Sequence, residues 1–319
     1  MNVKNRLLDL AKLLVSVGLL AFVLSRVDVP ELLTKLRSAN IGLLLLAFVL
    51  FVGGVCLRAF RWRALLADRS LHVPIGVLTQ LYFIGQFFNT FLPTGFGGDV
   101  VRVVELARYG VSKAESVSTV FLDRLSGLLA FFLMALVVLP FAGDLIPREV
   151  TLVLIGLGLA GVVGTWLMFE RRFTSSLMDK LFARLTFPFK VKVVRLYETM
   201  RANSPRATAT AMLIGFVFNL LLIAINYTIS RAFGQDIALG YFFLFVPIIS
   251  TLLLLPAFNG MGVREGAYAM LFPSVGVSPS TAVAMSLSFW AITVGAGLIG
   301  GVLYAAQGAK GAWSVKREA

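Results

Sequence analysis

The chain of 319 residues is poor in charge, cysteine and histidine. Asp, Glu, Lys and Arg make up 14% of it, against about 25% in a soluble globular domain. The single cysteine, Cys56, excludes a disulfide framework within the chain. The single histidine, His72, cannot build a zinc site. We therefore expect neither a bound metal nor a cofactor. The absence of a Gly-x-x-x-x-Gly-Lys-Ser/Thr sequence argues against an ATP-driven pump.

Long apolar stretches are abundant instead. Hydrophobic residues make up 58% of the chain, and its mean hydropathy is +0.89. A helix needs about 20 apolar residues to cross a bilayer. Stretches of about that length recur, and they predict six full spans at 7–25, 41–57, 117–140, 150–169, 207–230 and 280–305. We therefore predict an all-α integral membrane protein in which residues 1–319 form a single membrane domain.

The basic residues predict how the chain is threaded. A net charge of +13 would suggest nucleic acid for a soluble protein, but the positive-inside rule explains it here, and we expect no nucleic acid partner. The segment 170–206 carries nine Lys and Arg residues among apolar ones. It is predicted to be a cytoplasmic interfacial segment that binds anionic lipids. Both termini are then cytoplasmic in a multi-pass protein of the cytoplasmic membrane. Arg58 and Arg61 fall in a cytoplasmic loop after the second span.

Two apolar segments, 75–110 and 239–278, are interrupted by similar polar loops. The loops Leu92–Arg102 and Leu255–Gly266 each open on Leu-Pro, contain several glycines and present an acid beside an arginine. Proline and clustered glycine disfavour one straight helix, so we predict a re-entrant pair of half-helices in each segment. The unpaired backbone groups of such loops must be buried in protein or line a wet cavity.

The two loops predict an internal repeat. A shift of 166 positions maps Asp99 on Glu265 and Gly110 on Gly276. The half 1–145 and the half 146–308 contain the same four elements in the same order, two helices, a re-entrant pair and a helix, and the threading gives these halves opposite orientations. Inverted repeats with broken helices that meet near the bilayer midplane are a recurrent plan of transporters. The sequence therefore predicts two inverted repeats, each with a re-entrant helix pair.

The charged residues of the loops are the first candidates for a substrate-binding site. Asp99 and Glu265 begin the returning half-helices, where an acid matches the helix dipole as a cap. They also fit intramembrane carboxylates, which are costly unless paired and are functional by default. Arg102 and Arg264 are their natural partners, and an arginine grips phosphate bidentately.

Further candidates surround these charges. Gly97, Gly98 and Gly262 fit either a loop whose free N–H groups bind an anion or close helix packing, and we favour the loop. Gln86 and Asn89 lie three residues apart and share a helix face. Asp123 and Arg124 occur in one half only; they complete the inner site or form a local pair at the interface.

These motifs resemble a known family. The stretches that carry the resemblance are Phe83–Asn89, Leu92-Pro93, Gly97–Asp99, Arg102, Leu122–Leu125, Gly260–Gly266 and Gly276–Ser278. They are similar to the lysylphosphatidylglycerol synthase transmembrane-region family over nearly the whole chain. That family includes the flippase part of multiple peptide resistance factors and stand-alone membrane proteins. The resistance factors also carry a soluble aminoacyl-transferase domain. This chain ends at Ala319, so we expect no such domain and no lysine transfer from tRNA.

The resemblance implies lipid translocation between leaflets. We therefore expect a transporter, rather than an enzyme, whose substrate is a phospholipid or a polyprenyl-linked glycolipid. Some relatives are associated with polyprenyl-linked sugars, so a membrane-embedded transferase is the alternative. No Asp-x-Asp acidic pair in a soluble domain supports it. An accessory subunit of an envelope-lipid pathway is a third possibility.

Overall fold

The computed structural model describes residues 17–18, 20–91, 97–141, 148–169, 198, 203–253 and 260–318, and side chains as far as 307. The described part of the chain is helical and contains no β-strand, which confirms the all-α prediction. Residues 20–25 are helical and precede the first complete helix. The helices are α1 (Val29–Ser38), α2 (Ile41–Ala67), α3 (Ile75–Phe91), α4 (Gly97–Arg108), α5 (Lys113–Val138), α6 (Arg148–Phe169), α7 (Pro205–Ala232), α8 (Leu239–Leu252), α9 (Val263–Leu271) and α10 (Pro279–Glu318).

Four helices are long and apolar enough to cross a bilayer. They are α2, α5 with the turn that follows it, α7, and the Pro279–Gln307 part of α10. The stretch Thr151–Trp166 of α6 is apolar but shorter. These helices coincide with five of the predicted spans. Most of the predicted span 7–25, the centres of both glycine loops and most of the basic segment 170–206 lie outside the described residues.

Helix α2 extends beyond its predicted end. The predicted span stops at residue 57, whereas the helix continues to Ala67. No glycine or proline occurs between 55 and 67, so nothing interrupts the backbone hydrogen bonds there. The prediction of a loop at Arg58 and Arg61 is therefore wrong. Both arginines lie in the helix, and Arg61 is 5% exposed.

Helices α3 and α4 form an antiparallel hairpin, as the predicted first half-helix pair requires. A Cβ atom added to Gly85 would lie 2.9 Å from Cδ of Arg102 and 3.2 Å from the carbonyl oxygen of Gly98. Gly85 of α3 therefore faces the first two turns of α4. Helices α8 and α9 form the second pair and pack against each other. Entry and exit of each pair on the same side of the membrane stays a prediction.

Contacts between helices agree with the predicted repeat. Helices α2 and α7, which the 166-residue shift relates, pack against each other. The contact between α3 and α10 has its counterpart in the contact between α8 and α5. Counterpart contacts of this kind are what two similar halves would make around a common axis. The inverted repeat itself stays a prediction.

At Gly300, α10 comes very close to the backbone of α3. A Cβ atom at this position would lie 1.8 Å from the carbonyl oxygen of Phe83. This oxygen belongs to the backbone, so it cannot rotate away as a side chain does. We expect Gly300→Ala to lower the free energy of unfolding by about 1–3 kcal/mol, measured by denaturant titration of the purified protein in detergent.

The matched control for this substitution is Gly53→Ala in α2. A Cβ atom at Gly53 has no heavy atom within 4 Å, and alanine is a better helix former than glycine. We expect this variant to be at least as stable as the wild type. Equal unfolding midpoints for the two variants would contradict the close approach of α3 and α10.

Candidate functional site

The carboxylate of Asp123 in α5 is the centre of a buried group of charges. The side chain of Asp123 is 1% exposed. Its Oδ1 accepts a hydrogen bond from Nε of Arg61 at 2.8 Å, and its Oδ2 accepts one from Nη2 of Arg102 at 2.9 Å. The hydroxyl of Tyr82 also donates to Oδ2. Residues from α2, α3, α4 and α5 thus meet at one carboxylate. Such a buried pair needs several hydrogen bonds to offset the desolvation of its charges.

A second acid, Asp99, connects this centre to the surface. Its Oδ1 lies 3.4 Å from Nη1 of Arg102, and its Oδ2 lies 2.5 Å from Nε of Arg124. The side chain of Asp99 is 13% exposed and that of Arg124 is 44% exposed. The charged group therefore runs from a buried carboxylate to an accessible guanidinium. Asp123 and Arg124 thus have different ion-pair partners, since Asp123 pairs with Arg61 and Arg102 and Arg124 pairs with Asp99.

Aromatic rings hold two of the arginines. The guanidinium carbon of Arg102 lies 4.1 Å from the ring centroid of Trp62 and 3.9 Å from that of Tyr82. The guanidinium carbon of Arg58 lies 5.3 Å from the ring centroid of Tyr82 and 4.8 Å from the ring centroid of Phe218. Cation–π contacts of this kind stabilise a guanidinium away from water. We call Arg58, Arg61, Tyr82, Arg102 and Asp123 the arginine cluster, with Asp99 and Arg124 as its rim.

The start of α4 explains how Arg102 is placed. Gly97 and Gly98 are the first two residues of this helix, so the prediction that they belong to the loop is wrong. A Cβ atom on Gly98 would lie 2.0 Å from the carbonyl oxygen of Gly85, which leaves room for glycine only. Asn89 Oδ1 accepts a hydrogen bond from the backbone N–H of Gly98 at 2.8 Å, and so satisfies one of the free donors at the helix start.

Gln86 differs from the other candidates in the first half. Its backbone carbonyl accepts a hydrogen bond from Oγ1 of Thr90 at 2.9 Å. Its side chain makes no hydrogen bond with another residue in the part of the chain that the structure describes. Gln86 therefore does not join the arginine cluster through a direct contact.

The candidate residues of the second half form a group of their own, which we call the second site. Oε1 of Glu265 lies 3.1 Å from Nη2 of Arg264 and accepts a hydrogen bond from Oγ of Ser286 at 3.2 Å. Oε2 accepts one from the backbone N–H of Gly262 at 2.7 Å. Gly262 has a φ of +81°, which glycine adopts without strain. Glu265 is thus both a helix cap and an ion-pair partner, at 1% exposure.

The two sites differ in charge balance. One arginine faces one glutamate in the second site, whereas the arginine cluster contains three arginines and one aspartate. Among the described residues, no hydrogen bond or ion pair joins the two sites. The prediction that they are halves of one central site therefore stays a prediction.

A cavity of about 440 Å³ lies between α3 and α10. It is lined by Gly76, Thr79, Gln80, Phe83, Ile299, Leu303, Ala306 and Gln307. Among the described residues, none of the arginine cluster or its rim is in this lining. The cavity is therefore separate from the arginine cluster.

Sequence reasoning missed Arg58, Arg61 and Tyr82. The first two were assigned to a cytoplasmic loop because arginines after a span fit the positive-inside rule. The uninterrupted helical sequence that follows, including Trp62, Leu65 and Leu66, was the signal that they belong to the helix. No local signal marks Tyr82, because it contacts Asp123 across 41 positions of the chain.

Comparison with known proteins assigns the family. The model of the lysylphosphatidylglycerol synthase TM region matches residues 10–301. The chain belongs to this family. Together with the four long apolar helices, membership identifies it as an integral membrane protein, and the resemblance seen in the loop motifs is confirmed.

Two relatives of this member of the lysylphosphatidylglycerol synthase TM region family are informative. The UPF0104 membrane protein PH1989 of Pyrococcus horikoshii is 24% identical over 91% of this chain and 95% of its own length. The glycosyltransferase AglD of Haloferax volcanii is 29% identical over 138 residues, which are 43% of this chain and 22% of that protein. The family and these names suggest a membrane protein that acts on lipids.

Proposed function

We propose that this protein moves an anionic or glycosylated lipid between the leaflets of the cytoplasmic membrane. The observation that carries the proposal is the arginine cluster. Arg61 and Arg102 pair with a single buried carboxylate, Asp123, and Arg58 lies against Tyr82, which donates to that carboxylate. Charged groups inside a membrane protein are costly and mark substrate paths. Unbalanced guanidinium groups at such a place favour an anionic ligand.

A lipid phosphate fits the exposed rim of this cluster. Arg124 is accessible, and Asp99 links it to Arg102. A phosphate oxygen competes with the Asp99 carboxylate for the same guanidinium groups, which bind either anion through paired hydrogen bonds. The positive end of the α4 dipole adds to the attraction. When a head group arrives, its phosphate thus replaces the Asp99 carboxylate as the anionic partner of these arginines.

The second site supports an alternating arrangement. In the predicted inverted threading, Arg264 and Glu265 belong to the half that opens toward the other leaflet. Transporters with inverted repeats expose one half after the other around a central path. The counterpart contacts of the two halves agree with this plan. Asp99 and Glu265 then balance the arginines between transport steps, or couple the movement to protons.

The direct test is lipid translocation in proteoliposomes. Fluorescent phosphatidylglycerol and aminoacylated phosphatidylglycerol are followed by the loss of signal from the outer leaflet when a quencher is added outside. We expect Arg102→Gln to lower the rate at least about tenfold, because it removes a buried charge-assisted contact to the phosphate.

Arg108→Gln is the control on the same helix. The side chain of Arg108 is 66% exposed and pairs with Glu105, so its loss leaves the cluster intact and the rate unchanged. A wild-type rate for Arg102→Gln would remove the cluster from the transport path. A wild-type rate for the double variant Asp99→Asn, Glu265→Gln would remove the carboxylates from the mechanism.

A membrane-embedded transferase that acts on lipid-linked sugars is the second candidate. The match to the glycosyltransferase AglD favours it. Such an enzyme forms a new compound even in detergent, where there are no two leaflets between which a lipid could move. Incubation of the purified protein with polyprenyl-phosphate sugars and an acceptor, followed by mass spectrometry, distinguishes the two functions.

A further inference from the structure

The arginine cluster holds more positive charge than its own acid neutralises. The guanidinium groups of Arg61 and Arg102 pair with the carboxylate of Asp123. The third, that of Arg58, lies against the ring of Tyr82, whose hydroxyl donates to the same carboxylate. Three positive charges less one negative charge leave a net charge of +2. Arginine does not lose its proton in proteins, so the excess is not relieved by deprotonation. Among the described residues, the one other acid paired with these arginines is Asp99.

Asp99 does not correct this imbalance. It lies 3.4 Å from Arg102 but only 2.5 Å from Arg124. The charge of Asp99 is therefore already matched by Arg124 at the rim. The second site shows no such excess, since Arg264 faces Glu265 directly. The imbalance is thus specific to the arginine cluster.

Unpartnered donors mark the same place. Nε of Arg58, Nε of Arg102 and Nε1 of Trp62 are buried, and none has a hydrogen-bond partner in the described part of the chain. Arg58 contacts the rings of Tyr82 and Phe218, but no described carboxylate pairs with it. Buried polar groups are normally hydrogen-bonded, and exceptions need an explanation. A ligand with several acceptor oxygens would supply both the charge and the acceptors.

We propose that the arginine cluster selects a doubly charged phosphate group, and that Arg58 makes the selection. The phosphodiester of an ordinary glycerophospholipid carries a single negative charge. A phosphomonoester carries about −1.5 to −2 at pH 7 and matches the excess charge of the cluster. The preferred ligand is therefore a lipid phosphomonoester or diphosphate, and a phosphodiester binds more weakly. The lipid nature of this ligand rests on the proposed function; the preference for two charges rests on the cluster alone.

Two lipids with identical acyl chains test the selection. Phosphatidic acid is a phosphomonoester, and phosphatidylglycerol is a phosphodiester. Each is titrated into the purified full-length protein in detergent at pH 8, and binding is measured by native mass spectrometry. We expect the wild type to bind phosphatidic acid at least about tenfold more tightly, as an additional charge-assisted contact implies. We expect Arg58→Gln to reduce this ratio to near one.

Arg63→Gln is the matched control. Arg63 lies on the same helix five positions further along and is exposed, so its loss should leave the ratio unchanged. Arg58→Lys keeps the charge and is expected to keep the preference, with weaker binding of both lipids. It also provides the test if Arg58→Gln fails to elute as a folded protein. Equal binding of the two lipids by the wild type, or an unchanged ratio in Arg58→Gln, would overturn the proposal.

Inorganic phosphate and diphosphate distinguish a lipid ligand from a soluble one. If neither anion displaces bound phosphatidic acid at the same concentration, the result supports a lipid head group as the ligand. Displacement at equal concentration assigns the site to a free anion and overturns the lipid assignment. Binding and transport fail separately. Selective binding without translocation contradicts only the proposed transport, and translocation without selective binding contradicts only the selection of a doubly charged phosphate by the arginine cluster.

Discussion

Asp123→Ala is expected to lower the free energy of unfolding by about 3–5 kcal/mol, the usual result of removing one partner of a buried ion pair. The substitution leaves Arg61 and Arg102 without their shared carboxylate and the Tyr82 hydroxyl without its acceptor. The positive charges of Arg61 and Arg102 then repel each other, and because both side chains are buried, water screens this repulsion little. Denaturant unfolding of the purified protein in detergent, followed by tryptophan fluorescence, measures the loss.

Asp236→Ala is the control for an ion pair at the surface. Asp236 pairs with Arg231, and its side chain is 95% exposed, so water replaces the lost contact and the stability should change little. A double-mutant cycle with Arg61→Ala isolates the pair. Because Arg61 is no longer needed once Asp123 is gone, the double variant should lose clearly less than the sum of the single losses. Additive losses, or a wild-type midpoint for Asp123→Ala, would contradict the central role of this carboxylate.

Glu265→Ala is expected to have an effect of similar size, about 3–5 kcal/mol. It removes the ion-pair partner of Arg264, which is 4% exposed, and the acceptor for the backbone N–H of Gly262. The loss therefore combines an uncompensated buried charge with a lost helix cap. The same unfolding experiment in detergent measures it.

Glu265→Gln separates the two contributions. Its amide oxygen still accepts from the Gly262 N–H, so the cap is kept while the charge is lost. We expect this variant to be more stable than Glu265→Ala and less stable than the wild type. Equal losses in the two variants would show that charge alone matters, and no loss in either would contradict the buried pair with Arg264.

The sequence predicted the helices well because helix formation depends on local properties. Apolar stretches of spanning length predicted α2, α5, α6, α7 and α10 to within a few residues at most ends. Proline and glycine predicted the interruptions between α3 and α4 and between α8 and α9. The predicted end of α2 is too early because the arginines there resemble those of a cytoplasmic loop, although no residue in this stretch would stop the helix.

The candidate site was predicted in part. Asp99 and Arg102 lie three residues apart on one helix, and Arg264 and Glu265 are neighbours, so short spacing was enough to pair them. The sequence predicts for Asn89 only that it shares a helix face with Gln86, whereas the structure shows that its side chain accepts a hydrogen bond from the start of α4. Gln86 shares the face of Asn89 but makes no direct contact with the charges.

The sequence by itself thus determined that this chain forms membrane-spanning helices, where those helices break, and which neighbouring charges pair. These features depend on composition and on spacing within one helix. Only the tertiary structure decided that Asp123 meets Arg61, Tyr82 and Arg102, which lie 62, 41 and 21 positions away in the chain. Their meeting depends on how closely the four helices pack. This close packing requires glycines such as Gly98, where a single methyl group would collide with the backbone of α3.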